Sequence, residues 1–277
     1  MSLGSAVPMR AAPNLLELRG VGRQFRSGVL VRRRVLAVQD VSLEMPGDRP
    51  SILAIIGESG SGKTTLARML LRLQVPSAGT IALDGRNLAG WSRDALRRAV
   101  QPVFQNPFEA FSLYKPVDFY LLRTARNLAG ARTGAAARDM AAEALQAVGL
   151  GWDRVTGKYL QQFSGGELQR ISIARALIPH PRLIVADEPV SMVDASLRTN
   201  IVNLFLTLKR ERRVSFIYIT HDLSTAHYIA DEMAIMRAGR VVERGVPQQI
   251  LRAPRDEYTR ALLDAVPRIG VRWAETA

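Results

Sequence analysis

The stretch from Ile55 to Leu66, IIGESGSGKTTL, places three glycines and two serines in the six positions before Lys63. A loop so poor in side chains leaves its backbone N–H groups free to face an anion. Gly57, Gly62, Lys63 and Thr64 fit the spacing G-x-x-x-x-G-K-[ST], directly after the apolar run SILAII and before the helical pattern TTLARMLLRL. At average glycine usage the spacing arises by chance in roughly one chain in a hundred of this length, before a strand and a helix are demanded around it. The helix N-terminus adds partial positive charge, Lys63 reaches the β- and γ-phosphates, and the Thr64 hydroxyl ligates Mg²⁺. The loop Gly57, Glu58, Ser59, Gly60, Ser61, Gly62, Lys63, Thr64 and Thr65 therefore reads as a site for a nucleoside triphosphate.

Outward from this loop the chain alternates strand and helix, an α/β plan without internal repeats. SILAII, RLIVA and VSFIYIT are nearly continuous apolar runs, as expected of central parallel strands covered on both faces. Residues 15–45 instead alternate (Leu16, Leu18; Val41, Leu43, Met45), the pattern of a half-exposed antiparallel sheet. From about Gln105 to Phe163 helical patterns dominate, including the alanine-rich AGARTGAAARDMAAEAL, and predict a helical subdomain inserted into the core. The expected divisions are 14–104 (first part of the core with the antiparallel sheet and phosphate loop), 105–165 (helical subdomain), 166–245 (second part of the core) and 246–277 (a C-terminal extension).

Composition narrows the chemistry. With 47% hydrophobic residues, the 277-residue chain buries one large core or two modest ones. No apolar run approaches the roughly 20 residues of a membrane span, and the N-terminus lacks the continuous apolar stretch of an export signal, so a cytoplasmic place is expected. The absence of cysteine excludes disulfides, thiolate zinc sites and cysteine-ligated iron–sulfur clusters. The net charge of +13 is mostly scattered; its local clusters, Arg32 to Arg34 and LKRERR (Leu208 to Arg213), are not interleaved with aromatics as a single-strand platform is. Solvated faces, compatible with nearby lipid headgroups, explain it better than specific nucleic-acid binding.

Two more strand ends deliver chemistry to the edge occupied by Gly57. LIVADEP brings Asp187, suited to the Mg²⁺ shell, and Glu188, suited to orienting or deprotonating the water that attacks the γ-phosphate. VSFIYIT brings His221, whose imidazole can hydrogen-bond the γ-phosphate or fix the water and Glu188. His180 and His227 sit at no comparable strand end and read as ordinary loop or core residues. FSGGELQRISIARAL sets Ser164, Gly165 and Gly166 at a helix N-terminus, another anion site or simply a capped start, with Leu168, Ile171 and Leu177 facing the core.

With FSGGELQRISIARAL added to the phosphate loop, Gln105 in VFQNP, LIVADEP, SMVD and ITHD in this order, the chain resembles the nucleotide-binding subunit of ATP-binding cassette transporters. The resemblance implies a P-loop NTPase core with a central, mostly parallel sheet, an N-terminal antiparallel β subdomain and an inserted helical subdomain. It also implies ATP hydrolysis with Mg²⁺ and two subunits sandwiching two ATP molecules head to tail. Lys63, Thr64, Asp187, Glu188 and His221 then serve this chain's ATP, and Ser164, Gly165 and Gly166 reach the one held by the opposite subunit. Asp194 in SMVD is expected at the interface of the two sites, and Gln105 links Mg²⁺ and water to the helical lobe. Phe25 sits where an aromatic stacks on adenine; a core aromatic is the equal alternative.

Finer resemblance, through GESGSGKTTLAR, VFQNPF, ADEPVSMVDAS and PRDEYTRALLDAVP, is to the subfamily that powers oligopeptide, dipeptide and nickel importers. It implies a second cassette, identical or homologous, transmembrane permease subunits, an extracytoplasmic solute-binding protein, and a peripheral place on the cytoplasmic face of the membrane. Departures are Glu167 where glutamine is usual, SMVD for SALD, the altered FSLYKP segment where the permease docks, and no cysteine for the C-terminal cluster that many members carry. If Glu167 points inward its charge weakens triphosphate binding modestly, and if it points to ribose or solvent it matters little. Alternatives are an exporter cassette and a soluble cassette ATPase acting on nucleic acid or ribosomes. Glu188 and His221 argue against a module that binds ATP without cleaving it.

Overall fold

In the computed structural model, which describes residues 13–27 and 33–265, the chain opens with β1 (Leu16–Ser27) and β2 (Arg33–Met45), then β3 (Ile52–Ile56) and α1 (Lys63–Leu70). β4 (Ala78–Leu83), β5 (Arg86–Asn87), α2 (Arg93–Ala99) and β6 (Val100–Val103) follow. Four helices come next: α3 (Val117–Asn127), α4 (Gly134–Ala147), α5 (Trp152–Val155) and α6 (Gly165–Leu177). The core resumes with β7 (Leu183–Asp187), α7 (Ala195–Glu211), β8 (Ser215–Thr220), α8 (Leu223–Ile229), β9 (Glu232–Arg237) and β10 (Arg240–Gly245), and ends in α9 (Pro247–Arg252) and α10 (Glu257–Asp264). Arg32, residues 1–12 of the segment read for export signals, and residues 266–277 of the expected C-terminal extension lie outside the described residues.

The main sheet has the order β10-β9-β3-β8-β7-β6, parallel except for the antiparallel edge strand β10. Every residue of β3 and β8 is buried, because opposite faces of the sheet meet two different cores. Ile52, Ala54, Ile56, Phe216 and Tyr218 face a core shared with α3, α4, α6 and α7. Leu53, Ile55, Ile217 and Ile219 face a second core built from α1 and the antiparallel sheet. The alternation of strand side chains thus makes one continuous apolar run serve two layers. Each such side chain, fully buried, contributes roughly 1.5–3 kcal/mol.

The second sheet, β2-β1-β4-β5, is antiparallel throughout. Its registers pair Leu16 with Met45, Leu18 with Leu43 and Val21 with Val41, so the apolar set covers the second core while Arg19 and Glu44 face outward. β4 and β5 were not legible in the alternation of 15–45, nor was β6, whose Gln101 and Pro102 interrupt the apolar run of a main-sheet strand.

In the helical part, α4 buries Ala137, Ala141, Ala144 and Leu145 at helical spacing, and Thr133 caps it by accepting from the Ala136 amide at 3.1 Å. Arg175 of α6 joins this part to the core. Its guanidinium lies 5.6 Å from the Phe111 ring centroid and 5.7 Å from that of Tyr120, and it donates to Thr124 Oγ1 and the Ala110 carbonyl. Leu168, Ile171 and Leu177 of α6 are buried, as their spacing predicts. The LKRERR cluster at the end of α7 is partly ion-paired, Lys209 with Asp231 and Arg212 with Glu143.

Candidate active site

The carboxyl ends of β3, β7 and β8 lie side by side, with Ile56 opposite Thr220 and Asp187 opposite Ile219. The loop after β3 therefore shares an edge with Asp187, Glu188 and His221. Two glycines shape it. A Cβ on Gly57 falls 2.2 Å from the Met236 carbonyl oxygen, and one on Gly62, at φ +103°, falls 2.3 Å from that of Ala37. Bracing from outside comes through the Gly239 amide, which donates to the Ser61 carbonyl at 2.9 Å, while Gln39 N–H donates to the Gly239 carbonyl at 2.7 Å.

The loop has the features of an anion cradle. α1 starts at Gly62 with no side-chain cap and no acidic residue in its first turn, so its leading amides are free for an external acceptor. Ser61 Oγ is buried without a protein partner. Lys63 Nζ donates to the Gly57 and Glu58 carbonyls at 2.7 and 2.8 Å, which turns the ammonium back over the loop. Burial lowers the Lys63 pKa, and Glu188, Asp187 and Glu58 partly offset it. These acids favour the ammonium form, as a bound polyanion would, so Lys63 is suited to pairing with one.

Asp187 closes β7. Burial pushes its carboxyl up, and a hydrogen bond from the Thr64 side chain opposes this. A hard hydroxyl and a half-buried carboxylate held together suit Mg²⁺, which takes one or two protein oxygens and completes its octahedron with phosphates and water. Among the described residues there is no group of three or more His, Cys, Asp or Glu that could hold a metal ion.

At Glu188 the backbone leaves the strand with φ +47°, an uncommon conformation for a residue other than glycine, fixed by the Glu188 amide donating to the Ile219 carbonyl at 2.9 Å. The Glu188 carboxylate bonds to other side chains than Asp187 does. Glu188 Oε1 lies 3.1 Å from His221 Nδ1, and Oε2 accepts from Gln105 Nε2 at 3.4 Å. Both oxygens are thereby oriented by side chains from β8 and from the segment after β6. His180 lies in the turn before β7, at the opposite end of that strand, and His227 lies within α8.

Ser164, Gly165 and Gly166 form a second group, apart in bonding from the first. Ser164 Oγ accepts from the Glu167 amide at 3.2 Å and donates to Glu167 Oε2 at 3.1 Å, and Glu167 Oε2 accepts from the Ser164 amide at 2.9 Å. This is a capping box at the start of α6. A Cβ on Gly165 comes within 3.2 Å of the Met192 carbonyl, so the small residues let α6 lie against the segment that leads to Asp194. Asp194 is exposed at the start of α7. The Glu167 carboxylate is turned to Arg154 of α5, whose Nε and Nη2 donate to Oε1 at 3.0 and 2.8 Å. The Ser164 amide, chiefly, holds its pKa below the usual range against the effect of burial, and Arg154 adds to this.

Phe25 lies outside both cores, half-buried on β1, with the Arg23 guanidinium 4.8 Å from its ring centroid. Two contacts have no counterpart in the sequence reading. One is Arg154 on Glu167; the other is Tyr258 of α10, whose hydroxyl accepts from the Glu58 amide at 3.0 Å. No local spacing marks either residue.

The sequence matches the family described as ABC transporter over residues 38–191. A putative peptide import ATP-binding protein of Brucella ovis is 38% identical over 257 residues, covering 91% of this chain and 78% of that protein. The dipeptide transport ATP-binding protein DppF of Escherichia coli is 38% identical over 241 residues, covering 86% and 71%. Among solved structures, a dimeric ATP-binding cassette in a post-hydrolysis state with ADP and Pi superposes with a TM-score of 0.73 at 25% identity, covering 84% of this chain and 98% of that one. Family match, relatives and fold agree with a phosphate loop whose edge carries Asp187, Glu188 and His221: the chain belongs to the ABC transporter family, as one of its ATPase cassettes.

Proposed function

We propose that the chain is the ATP-hydrolysing subunit that powers a membrane importer of peptides or a related small solute such as nickel. The observation that carries the chemistry is Glu188, held through both oxygens by His221 and Gln105 beside the Lys63, Thr64 and Asp187 group. The names of the similar proteins support the peptide class.

The loop from Gly57 to Thr65 binds the phosphates through Lys63 and the amides that begin α1, the Glu58 amide being held by Tyr258 instead; Phe25 stacks on adenine. Thr64 and Asp187, joined by Gln105, hold Mg²⁺, which when bound neutralises charge on the phosphates. Glu188 orients the attacking water and takes its proton; His221 fixes the carboxylate and faces the γ-phosphate. Ser164, Gly165 and Gly166 complete the site of a second cassette, and Asp194 lies at that junction.

The permease docks beside Gln105. A groove of about 390 Å³ opens between α2, β6 and α3, and in the segment between β6 and α3 Phe108, Leu113 and Tyr114 are exposed, Tyr114 at 86%. Large exposed apolar side chains this close in sequence support a partner site. No helix among the described residues is long and apolar enough to cross a membrane, so the proposed place is peripheral, on the cytoplasmic face and joined to a permease and a solute-binding protein. Glu188→Gln tests the assignment: MgATP binding stays, turnover by the assembled transporter falls by roughly 10²–10⁴, the contribution of a general base, and an ATP-bound dimer accumulates. Turnover at the wild-type rate refutes it.

A further inference from the structure

We propose that Tyr258, on the C-terminal helix α10, is a positioning residue of the nucleotide site, holding the peptide that orients Lys63. The proposal rests on the reading of the phosphate loop as the ATP site.

The Tyr258 hydroxyl accepts from the Glu58 amide at 3.0 Å. The carbonyl of the same peptide group, on Gly57, accepts from Lys63 Nζ at 2.7 Å. A peptide group is rigid and planar, so these two bonds hold it at opposite poles, one from α10 and one from the ammonium. Rotation is restricted on a further side by the Met236 carbonyl, which leaves no room even for a Cβ on Gly57. Tyr258 itself is anchored. The Arg237 guanidinium lies 4.9 Å from its ring centroid, and its amide donates to Asp256 Oδ1 at 2.9 Å. Glu243 of β10 accepts from the Arg255 and Asp256 amides at 2.9 and 3.1 Å, tying the start of α10 to the main sheet.

Without the hydroxyl the Gly57–Glu58 peptide keeps one fixed pole and tilts, and the Lys63 ammonium follows its acceptor. Glu58 is exposed, so water replaces the lost partner of its amide and the fold is little affected. The extension after residue 245 thereby becomes part of the ATP site.

Tyr258→Phe in the full chain removes one oxygen and keeps the ring on Arg237. The Kd for MgATP is expected to rise roughly two- to tenfold, the loss of one hydrogen bond. Hydrogen exchange at the Glu58 amide is expected to quicken, with the Tm of the nucleotide-free chain unchanged. An unchanged Kd, unaltered exchange at Glu58, or a Tm that falls along with the affinity overturns the proposal. Lys63→Ala separates it from the reading beneath it. If Lys63→Ala binds MgATP as wild type does, the loop is not the site and both fail; if Lys63→Ala loses binding while Tyr258→Phe keeps it, only the role of Tyr258 fails.

Discussion

Removing Arg154 exposes a charge that the structure keeps neutralised beside Ser164. Arg154 reaches Glu167 with two nitrogens, and the pair is unequally exposed, 55% for the arginine side chain and 15% for the glutamate. At that exposure the pair contributes no more than about 1 kcal/mol to folding. Glu167 also closes the capping box of α6, which Arg154→Ala leaves intact, so the variant folds. The Ser164 amide still holds the Glu167 pKa down, and the carboxylate stays ionised at neutral pH. If the γ-phosphate of a second cassette docks at Ser164 and Gly166, a separation on the order of 7 Å in water gives about 0.6 kcal/mol of repulsion per unit charge. Two charges on the γ-phosphate make this about 1.2 kcal/mol, roughly a sevenfold loss in affinity. The assay is the ATP concentration that drives dimerisation of chains carrying Glu188→Gln, followed by sedimentation. Arg154→Ala should raise it about sevenfold, and the gap should shrink at high salt. Adding Glu167→Gln, which preserves the capping box without the charge, should restore the original midpoint. A double variant no better than Arg154→Ala alone refutes the electrostatic account and leaves packing as the role of Arg154; a null effect of Arg154→Ala refutes docking of the γ-phosphate at this helix start.

Glu243→Gln tests the anchoring of α10. Burial alone pushes the Glu243 carboxyl up, but hydrogen bonds led by the Arg255 amide outweigh it and lower the pKa below 4.5. A depressed folded pKa contributes stability above the unfolded value that is lost as pH falls through the folded one. The variant should therefore melt below wild type at pH 7, by about 1 kcal/mol, with the gap closing in melts below pH 4.5. Gly57 and Gly60 of the loop should respond unequally to alanine. Gly60, at φ +83° with open space where a Cβ would stand, bears only a left-handed backbone, about 1 kcal/mol. Gly57→Ala forces a methyl onto the Met236 carbonyl and costs about 3 kcal/mol, so denaturant titration should rank it the more damaging; the reverse order contradicts the packing described for the loop.

The parts of this protein that its sequence determines by itself are those whose cause is local. Strand, glycine loop and helix are contiguous between Ile52 and Leu70, so the anion cradle is read from spacing alone. The continuous apolar runs of β3, β7 and β8 announce strands covered on both faces, because a side chain on either face must be apolar. β6 escapes that reading, since an edge strand with Gln101 and Pro102 is covered only by the elements that happen to pack on it. Residue types at the strand ends name Asp187, Glu188 and His221 as a group, yet their mutual geometry depends on register. Parallel pairing of β7 with β8 and the left-handed turn at Glu188 bring its carboxylate to His221 and Gln105, 33 and 83 residues away in sequence. The direction of Glu167 was likewise undecided until α5 brought Arg154 beside it. Tyr258 is the extreme case: it meets Glu58 across 200 residues, and no periodicity or motif encodes a contact that exists only because β10 returns the chain beside β9 and Glu243 fixes the helix that follows.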